Sequence, residues 1–188
     1  MEVSRRLDDG VCPVCGRPLV YIDYSGSQQL SDGSSICRDC AGKLRVMFPL
    51  SSVRKNGNYS VSDPLKAETL DSVKEKLNHI SEYTDSIRAS YGFRNAVFKV
   101  ESVEETKGGL FRPSSYSLRG RTLLGSFFPE DDVLLIKGGA ETPLRLDEAG
   151  TFLPGGDGPL RRVNAGYPGI LRISGKGLDM ASGDIIVK

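Results

Sequence analysis

Four cysteines, all placed before residue 41, constrain this chain more than any other feature of its sequence. They form two pairs, Cys12-Pro-Val-Cys15 and Cys37-Arg-Asp-Cys40, with residues 16–36 between them. Each Cys-x-x-Cys turn directs two sulfurs to one side, so the pairs together offer four thiolates to a single ion at a spacing close to that of structural zinc sites. Gly16, directly after Cys15, suits the positive-φ backbone such a knuckle needs. Four thiolates complete a tetrahedron and leave no position for water or substrate. The pattern therefore predicts one structural Zn2+ held by Cys12, Cys15, Cys37 and Cys40, in preference to a hydrolytic centre. Two reduced or redox-active dithiols are the alternative, although doublets paired at metal spacing are rarely accidental.

The residues around the cysteines supply the rest of a small head over 1–50. Apolar runs at 19–22 and 28–30 flank the polar stretch 23–26 as a hairpin, and a second turn falls at 31–34. Residues 41–48 read as a short helix halted by Pro49. Knuckle, hairpin and helix in that order make a treble-clef-like arrangement, too small for a core of its own and so dependent on metal to fold. Residues 51–62 are polar, lack apolar periodicity and read as a linker. Within them, Asn58-Tyr59-Ser60 matches a glycosylation sequon, which has meaning only in a secreted chain.

A long amphipathic helix is predicted over 63–92. Asp63 is placed to cap it, Pro64 fits its first position and Gly92 stops it, with no Pro or Gly in the interior. Leu70, Val73, Leu77, Ile80, Ile87 and Tyr91 recur in steps of three and four, with Thr84 the one polar residue in the series. A helix of this length reaches about 40 Å, so its heptad-like seam can pack on the chain's own β-rich part or pair with a second copy as a homodimer contact.

After Gly92 the pattern changes to short β-rich runs separated by turns, and most of the 22 glycines lie there. Strands are predicted at 96–103, 116–128, 133–136, 144–146, 160–163, 169–173 and 185–187, with turns at 107–109, 137–139, 154–158 and 182–184. So many short strands between residues 93 and 188 fit a small closed barrel, which leaves no sheet edge exposed. The chain is thus expected to be α+β and multi-part: a zinc head, a linker, one long helix and an all-β barrel.

Charge and motifs narrow the function classes. With 25 Lys plus Arg against 24 Asp plus Glu and a net charge of +1, the chain has no polybasic tail, so any nucleic-acid contact must be local. Arg17, Arg38, Lys43, Arg45, Arg54 and Lys55 are the candidate phosphate-contacting residues, diluted by Asp23, Asp32 and Asp39. No apolar run is long enough to span a bilayer, and the first ten residues lack the apolar core of a secretory signal, which places the chain in the cytoplasm. There is no phosphate-binding Gly-x-x-x-x-Gly-Lys loop, nucleophile elbow, His-Glu-x-x-His or dinucleotide fingerprint. The single histidine, His79, falls beside the helical seam at an exposed position. The glycine-rich stretch 155–158 reads as a plain loop and Asp131-Asp132 as a solvated turn. These absences predict contact rather than catalysis.

Two family resemblances follow from these residues. The Cys12–Cys40 segment, followed by the stretch 69–77 and by Tyr91-Gly92, resembles a bacterial family of uncharacterised proteins with an N-terminal four-cysteine zinc finger, which implies zinc binding. The second half is similar to the β-barrel that follows the GTPase domain in translation factors such as elongation factor Tu. The resemblance is carried by the opening strand 98–103, Gly120-Arg121 with Leu123-Leu124-Gly125, the strand 132–135, Ala165-Gly166 before 169–173, and the closing run 180–186. Glu130 stands where those factors carry Gly, which predicts a different turn. The resemblance implies a translation-factor-like barrel and, by extension, RNA or the ribosome as a partner. The leading expectation is a non-catalytic, zinc-stabilised adaptor that binds another protein, with an RNA- or ribosome-associated factor as the alternative.

Overall fold

The structure, a computed structural model, describes residues 10–19, 27–55, 58–109, 113–151 and 161–188, with the backbone alone over 52–60. The chain divides into two compact units, Met1–Pro49 with Asp63–Thr84, and Leu50–Ser62 with Asp85–Lys188. The expected hairpin over 19–30 lies largely outside the described residues, as do the glycine-rich stretch 155–158 and the start of the strand expected at 160.

In the first unit, a Val11–Pro18 bridge closes the knuckle that carries Cys12 and Cys15. Strands β1 (Gln28–Gln29) and β2 (Ser35–Ile36) pair antiparallel across the turn at 31–34, and β2 leads directly into α1 (Arg38–Leu44). The predicted helix thus starts and ends earlier than expected, because Cys37 occupies its N-cap. The unit's core joins Cys12, Cys37 and Cys40 to Leu30, Ile36, Ala41, Leu44, Leu65 and Val73, with Leu70 and Leu77 packed against it.

The single long helix expected over 63–92 is three pieces. Asp63 does cap, accepting from the Leu65 amide at 3.1 Å, but it caps a 3-10 turn at Pro64–Ala67. Glu68 and Thr69 then turn extended, and α2 (Leu70–Asn78) starts afresh with Thr69 as its cap. At His79 (φ −100°, ψ 5°) the helix breaks again before α3 (Ile80–Ser90), which ends at Gly92 with Phe93 N donating to Arg88 O at 2.6 Å. The cause of the first break lies elsewhere in the chain. Asp32 of the β1–β2 turn accepts from Leu70 N at 2.7 Å, and Ser31 N donates to Glu68 O at 2.9 Å, so the start of α2 is held by a turn distant in sequence. The seam is divided accordingly. Leu70, Val73 and Leu77 join the first unit's core, while Ile87 and Tyr91 pack in the second unit. With Val73 fully buried, the residues Leu70 to Tyr91 do not form one free face for a second copy.

The stretch expected to be a linker folds in the second unit as a hairpin, β3 (Ser51–Lys55) against β4 (Asn58–Ser62), with Lys55 opposite Asn58. Beyond α3, the strands β5 (Val97–Thr106), β6 (Ser114–Leu124), β8 (Asp132–Lys137), β9 (Ala140–Arg145), β10 (Glu148–Thr151), β12 (Pro168–Gly175) and β13 (Ile185–Val187) form one antiparallel sheet in the order β10-β12-β6-β5-β13-β8-β9. A short pair, β7 (Ser126–Phe127) with β11 (Val163–Asn164), forms a separate two-stranded sheet. Only Leu146 and Asp147 separate β9 from β10, yet these strands occupy opposite ends of the ladder. Asp147 N donates to Arg172 O at 2.8 Å and Leu146 N to Asp131 O at 3.0 Å. The sheet therefore curls on itself into a barrel-like form whose two ends are joined by the chain itself and not by strand pairing.

Alternation along the strands fills that curl. Phe98, Val100, Tyr116, Leu118, Leu135, Leu171, Ile173 and Ile186 point inward to a common core, where the Phe98 and Phe127 rings meet edge-to-face at 6.1 Å. The intervening residues Val97, Leu124 and Val187 bury the opposite face against Ile87 and Tyr91 of the helical segment. Two glycines permit the close strand approach. A Cβ at Gly120 would lie 2.1 Å from Lys99 O, and one at Gly125 (φ +68°) would lie 2.2 Å from Asn95 O. Glu130, a non-glycine residue, adopts φ 69°, a left-handed backbone at the turn before β8.

Candidate metal centre

The first sulfur pair is set by backbone geometry. Cys12 N donates to Arg17 O at 2.7 Å and Gly16 N to Cys12 O at 2.8 Å, and Gly16 takes φ 72°, so the chain reverses tightly around Pro13 and Val14. The second pair is set by a helix start. Cys37 is the N-cap of α1 and makes no side-chain cap hydrogen bond, leaving its sulfur directed elsewhere, and Cys40 follows in the first turn. The four Sγ atoms lie within 4.8 Å of one another. Cys15 Sγ is 3.4 Å from Cys37 Sγ, and Cys12 Sγ is 3.9 Å from Cys40 Sγ, two contacts that each link the two knuckles. No disulfide joins them.

These separations fit one ion. Sulfurs bound tetrahedrally at about 2.3 Å from Zn2+ stand roughly 3.8 Å apart, close to both contacts. Electrostatics points the same way. Burial opposes ionisation of Cys12, but the amides of Cys37, Cys15 and Val14 donate to its sulfur and bring its pKa down to about 7. Burial pushes Cys40 strongly up, and the neighbouring Cys15, Cys37 and Cys12 sulfurs add to that. Three of the four cysteines are buried, Cys12 at 1%, Cys37 at 5% and Cys40 at 5% exposure. Four thiolates so close together repel unless a cation sits among them, and soft sulfur donors in a closed tetrahedron suit zinc.

A layer of polar contacts supports the centre. Arg45, predicted as a phosphate contact, is 6% exposed; its Nη1 lies 2.5 Å and its Nη2 2.9 Å from the two carboxylate oxygens of Asp63. That bidentate pair ties the end of α1 to the point where the chain re-enters the unit, and it removes Arg45 from any phosphate-binding face. Arg17 pairs with Asp39 at the surface. Arg38 and Lys43 are exposed on α1, while the side chains of Arg54 and Lys55 lie outside the described residues. His79 is exposed and its Nδ1 lies 3.3 Å from Glu82 Oε2 at the surface. The sequence reading missed Asp32 and the Arg45–Asp63 clamp, since both act between segments whose proximity only the fold creates.

No family model and no curated protein matches the chain. Among solved structures it is similar to the translation elongation factor SelB of Methanococcus maripaludis, bound to the GTP analogue GppNHp. That match has 13% identity and a TM-score of 0.39, covering 61% of this chain and 25% of that one. The apo form of the same factor matches at 13% identity and a TM-score of 0.39, over 62% of this chain and 28% of that one. A bacterial selenocysteine-specific elongation factor, EF-Sec, matches at 18% identity and a TM-score of 0.37, over 62% of this chain and 18% of that one. The chain therefore spans well under a third of the length of each of these factors. No helix among the described residues is long and apolar enough to cross a membrane.

Proposed function

We propose that this chain is a non-catalytic zinc-binding protein in which Cys12, Cys15, Cys37 and Cys40 hold one structural Zn2+, and that it acts as an adaptor between macromolecules. The observation that carries the metal reading is the convergence of four sulfurs within 4.8 Å, three of them in the core of their unit. When bound, the ion contributes folding free energy by joining the knuckle to the start of α1. The chain's own residues bring the sulfurs together: Gly16 turns the first knuckle, Cys37 and Cys40 sit on one helical turn, and Arg45 with Asp63 braces the far end of α1. Support for a contact role comes from the closed donor set, which leaves no reactive position, and from two exposed aromatic side chains in the second unit, Phe93 at 77% and Phe128 at 42%.

Metal analysis of the purified chain tests the first part. One equivalent of zinc is expected, lost to a strong chelator together with the first unit's protection from hydrogen exchange; a chain purified without metal and equally protected would overturn it. Sedimentation from lysate over a range of salt tests the second. The adaptor reading expects association with a protein that persists as salt rises. Co-sedimentation with ribosomal particles that is lost in salt would replace it with the RNA- or ribosome-associated alternative, because phosphate contacts weaken steeply with ionic strength.

A further inference from the structure

The four sulfurs of the centre are not equivalent. Cys12, Cys37 and Cys40 are buried, whereas Cys15 is exposed. Cys15 also has a near partner: its Sγ is 3.4 Å from Cys37 Sγ, against 3.9 Å between Cys12 and Cys40. An oxidant arriving from solvent meets Cys15 first, and a sulfur close enough to complete the reaction stands on the other knuckle, at the N-cap of α1. Resting on the zinc reading above, we infer that the centre is a peroxide-sensitive switch in which Cys15 is the reactive thiolate, Cys37 the resolving one, and their disulfide releases the metal.

The chemistry balances with hydrogen peroxide as the oxidant. The Cys15 thiolate attacks one peroxide oxygen, the O–O bond breaks, and hydroxide leaves with Cys15 as a sulfenic acid. The Cys37 thiolate then attacks the Cys15 sulfur, the S–O bond breaks and a second hydroxide leaves. Two thiolates lose two electrons in all, the peroxide gains them, and two protons from solvent convert the hydroxides to water. Two of the four ligands are then gone from the site, and Cys12 with Cys40 forms only half a donor set. The product is distinctive in one respect. A Cys15–Cys37 bridge still ties the first knuckle to the N-cap of α1, so the oxidised head keeps a covalent link where the metal link is lost.

The test uses the full zinc-loaded chain and hydrogen peroxide, with zinc release followed by a metallochromic indicator and disulfides mapped by mass spectrometry after alkylation. The expected result is loss of one zinc in step with two thiols, a Cys15–Cys37 bridge as the first product, and recovery of binding after dithiothreitol and added zinc. A first product within one knuckle, Cys12–Cys15 or Cys37–Cys40, overturns the inference and leaves the zinc reading intact, as does zinc that stays bound through peroxide excess. A chain that never holds zinc overturns both. The Cys15→Ser variant should lack the early phase of thiol loss; should it fail to fold, product mapping on the parent chain still decides the matter.

Discussion

The two units reach stability by different routes. The second unit surrounds a continuous core with seven curled strands, and large side chains such as Phe98, Phe127, Leu118, Leu171 and Ile186 are buried in it. The first unit offers much less. Among the described residues, three of the nine buried in its core are cysteines, and its strands β1 and β2 are two residues each. Burying an apolar side chain contributes about 1.5–3 kcal/mol, whereas a structural zinc in a small domain contributes roughly 10–16 kcal/mol. A sheet with many cross-strand partners holds itself together, while a knuckle and a short helix need a centre that ties both.

The sharpest way to break this contrast is to remove one sulfur of the cluster. Cys37→Ser takes away both a ligand and the thiol at the N-cap of α1. It should abolish stoichiometric zinc binding and unfold the first unit, with the amides of β5, β6 and β12 still protected in hydrogen exchange. Equal loss of protection in both units would show that they do not differ in this way. The converse is Phe98→Ala, which removes a fully buried ring from the second core and should cost about 3–5 kcal/mol in chemical denaturation without changing zinc affinity.

Between these extremes stands the Arg45–Asp63 pair. Arg45→Met leaves the Asp63 carboxylate buried without its partner, and losing one member of a buried pair costs about 3–5 kcal/mol. The loss should appear as earlier unfolding of the first unit at full zinc occupancy, and an unchanged denaturation midpoint would show that the clamp is not structural. The smallest effect belongs to Asp32. The Leu70 and Ser34 amides that it accepts hold its pKa below the ordinary 3.8. A carboxylate lowered in the fold contributes its stability above its unfolded pKa and loses it as pH falls through the folded value. Asp32→Ala should therefore destabilise the first unit slightly near neutrality, and the difference from the parent should vanish in acid below the lowered pKa. A difference that persists there would assign the effect to something other than the carboxylate charge.

Where signals are local, the sequence makes the structure legible. Two cysteine doublets predict a sulfur cluster because the geometry of each knuckle is contained in four residues, and the clustering of all four sulfurs follows. Strong alternation makes β5, β8, β12 and β13 readable to within a few residues, since each such strand needs only a buried face to be specified. The misses are of two kinds. Asn56 and Gly57, the two residues between β3 and β4, are the favoured pair for a two-residue hairpin loop, a signal overlooked because the flanking residues are polar. Strand β10, Glu148-Ala-Gly-Thr151, has no strand signature of its own and exists because β12 pairs with it, Arg172 reaching Glu148 at 2.8 Å.

The sequence alone thus determined the two cysteine knuckles, the left-handed backbone at Gly16, the helix stop at Gly92 and the alternating faces of the longer strands, because each depends on residues within a few positions of one another. Tertiary structure decided the rest. The continuous helix expected over 63–92 became three pieces: Asp32 and Ser31, far away in the chain, hold the backbone where α2 begins, the chain breaks again at His79, and separate cores claim α2 and the end of α3. Arg45 became a buried brace instead of a surface charge because Asp63 returns to meet it. Local propensity is a weak force of tenths of a kcal/mol per residue, and contacts between distant segments, worth several kcal/mol each, override it wherever the two disagree.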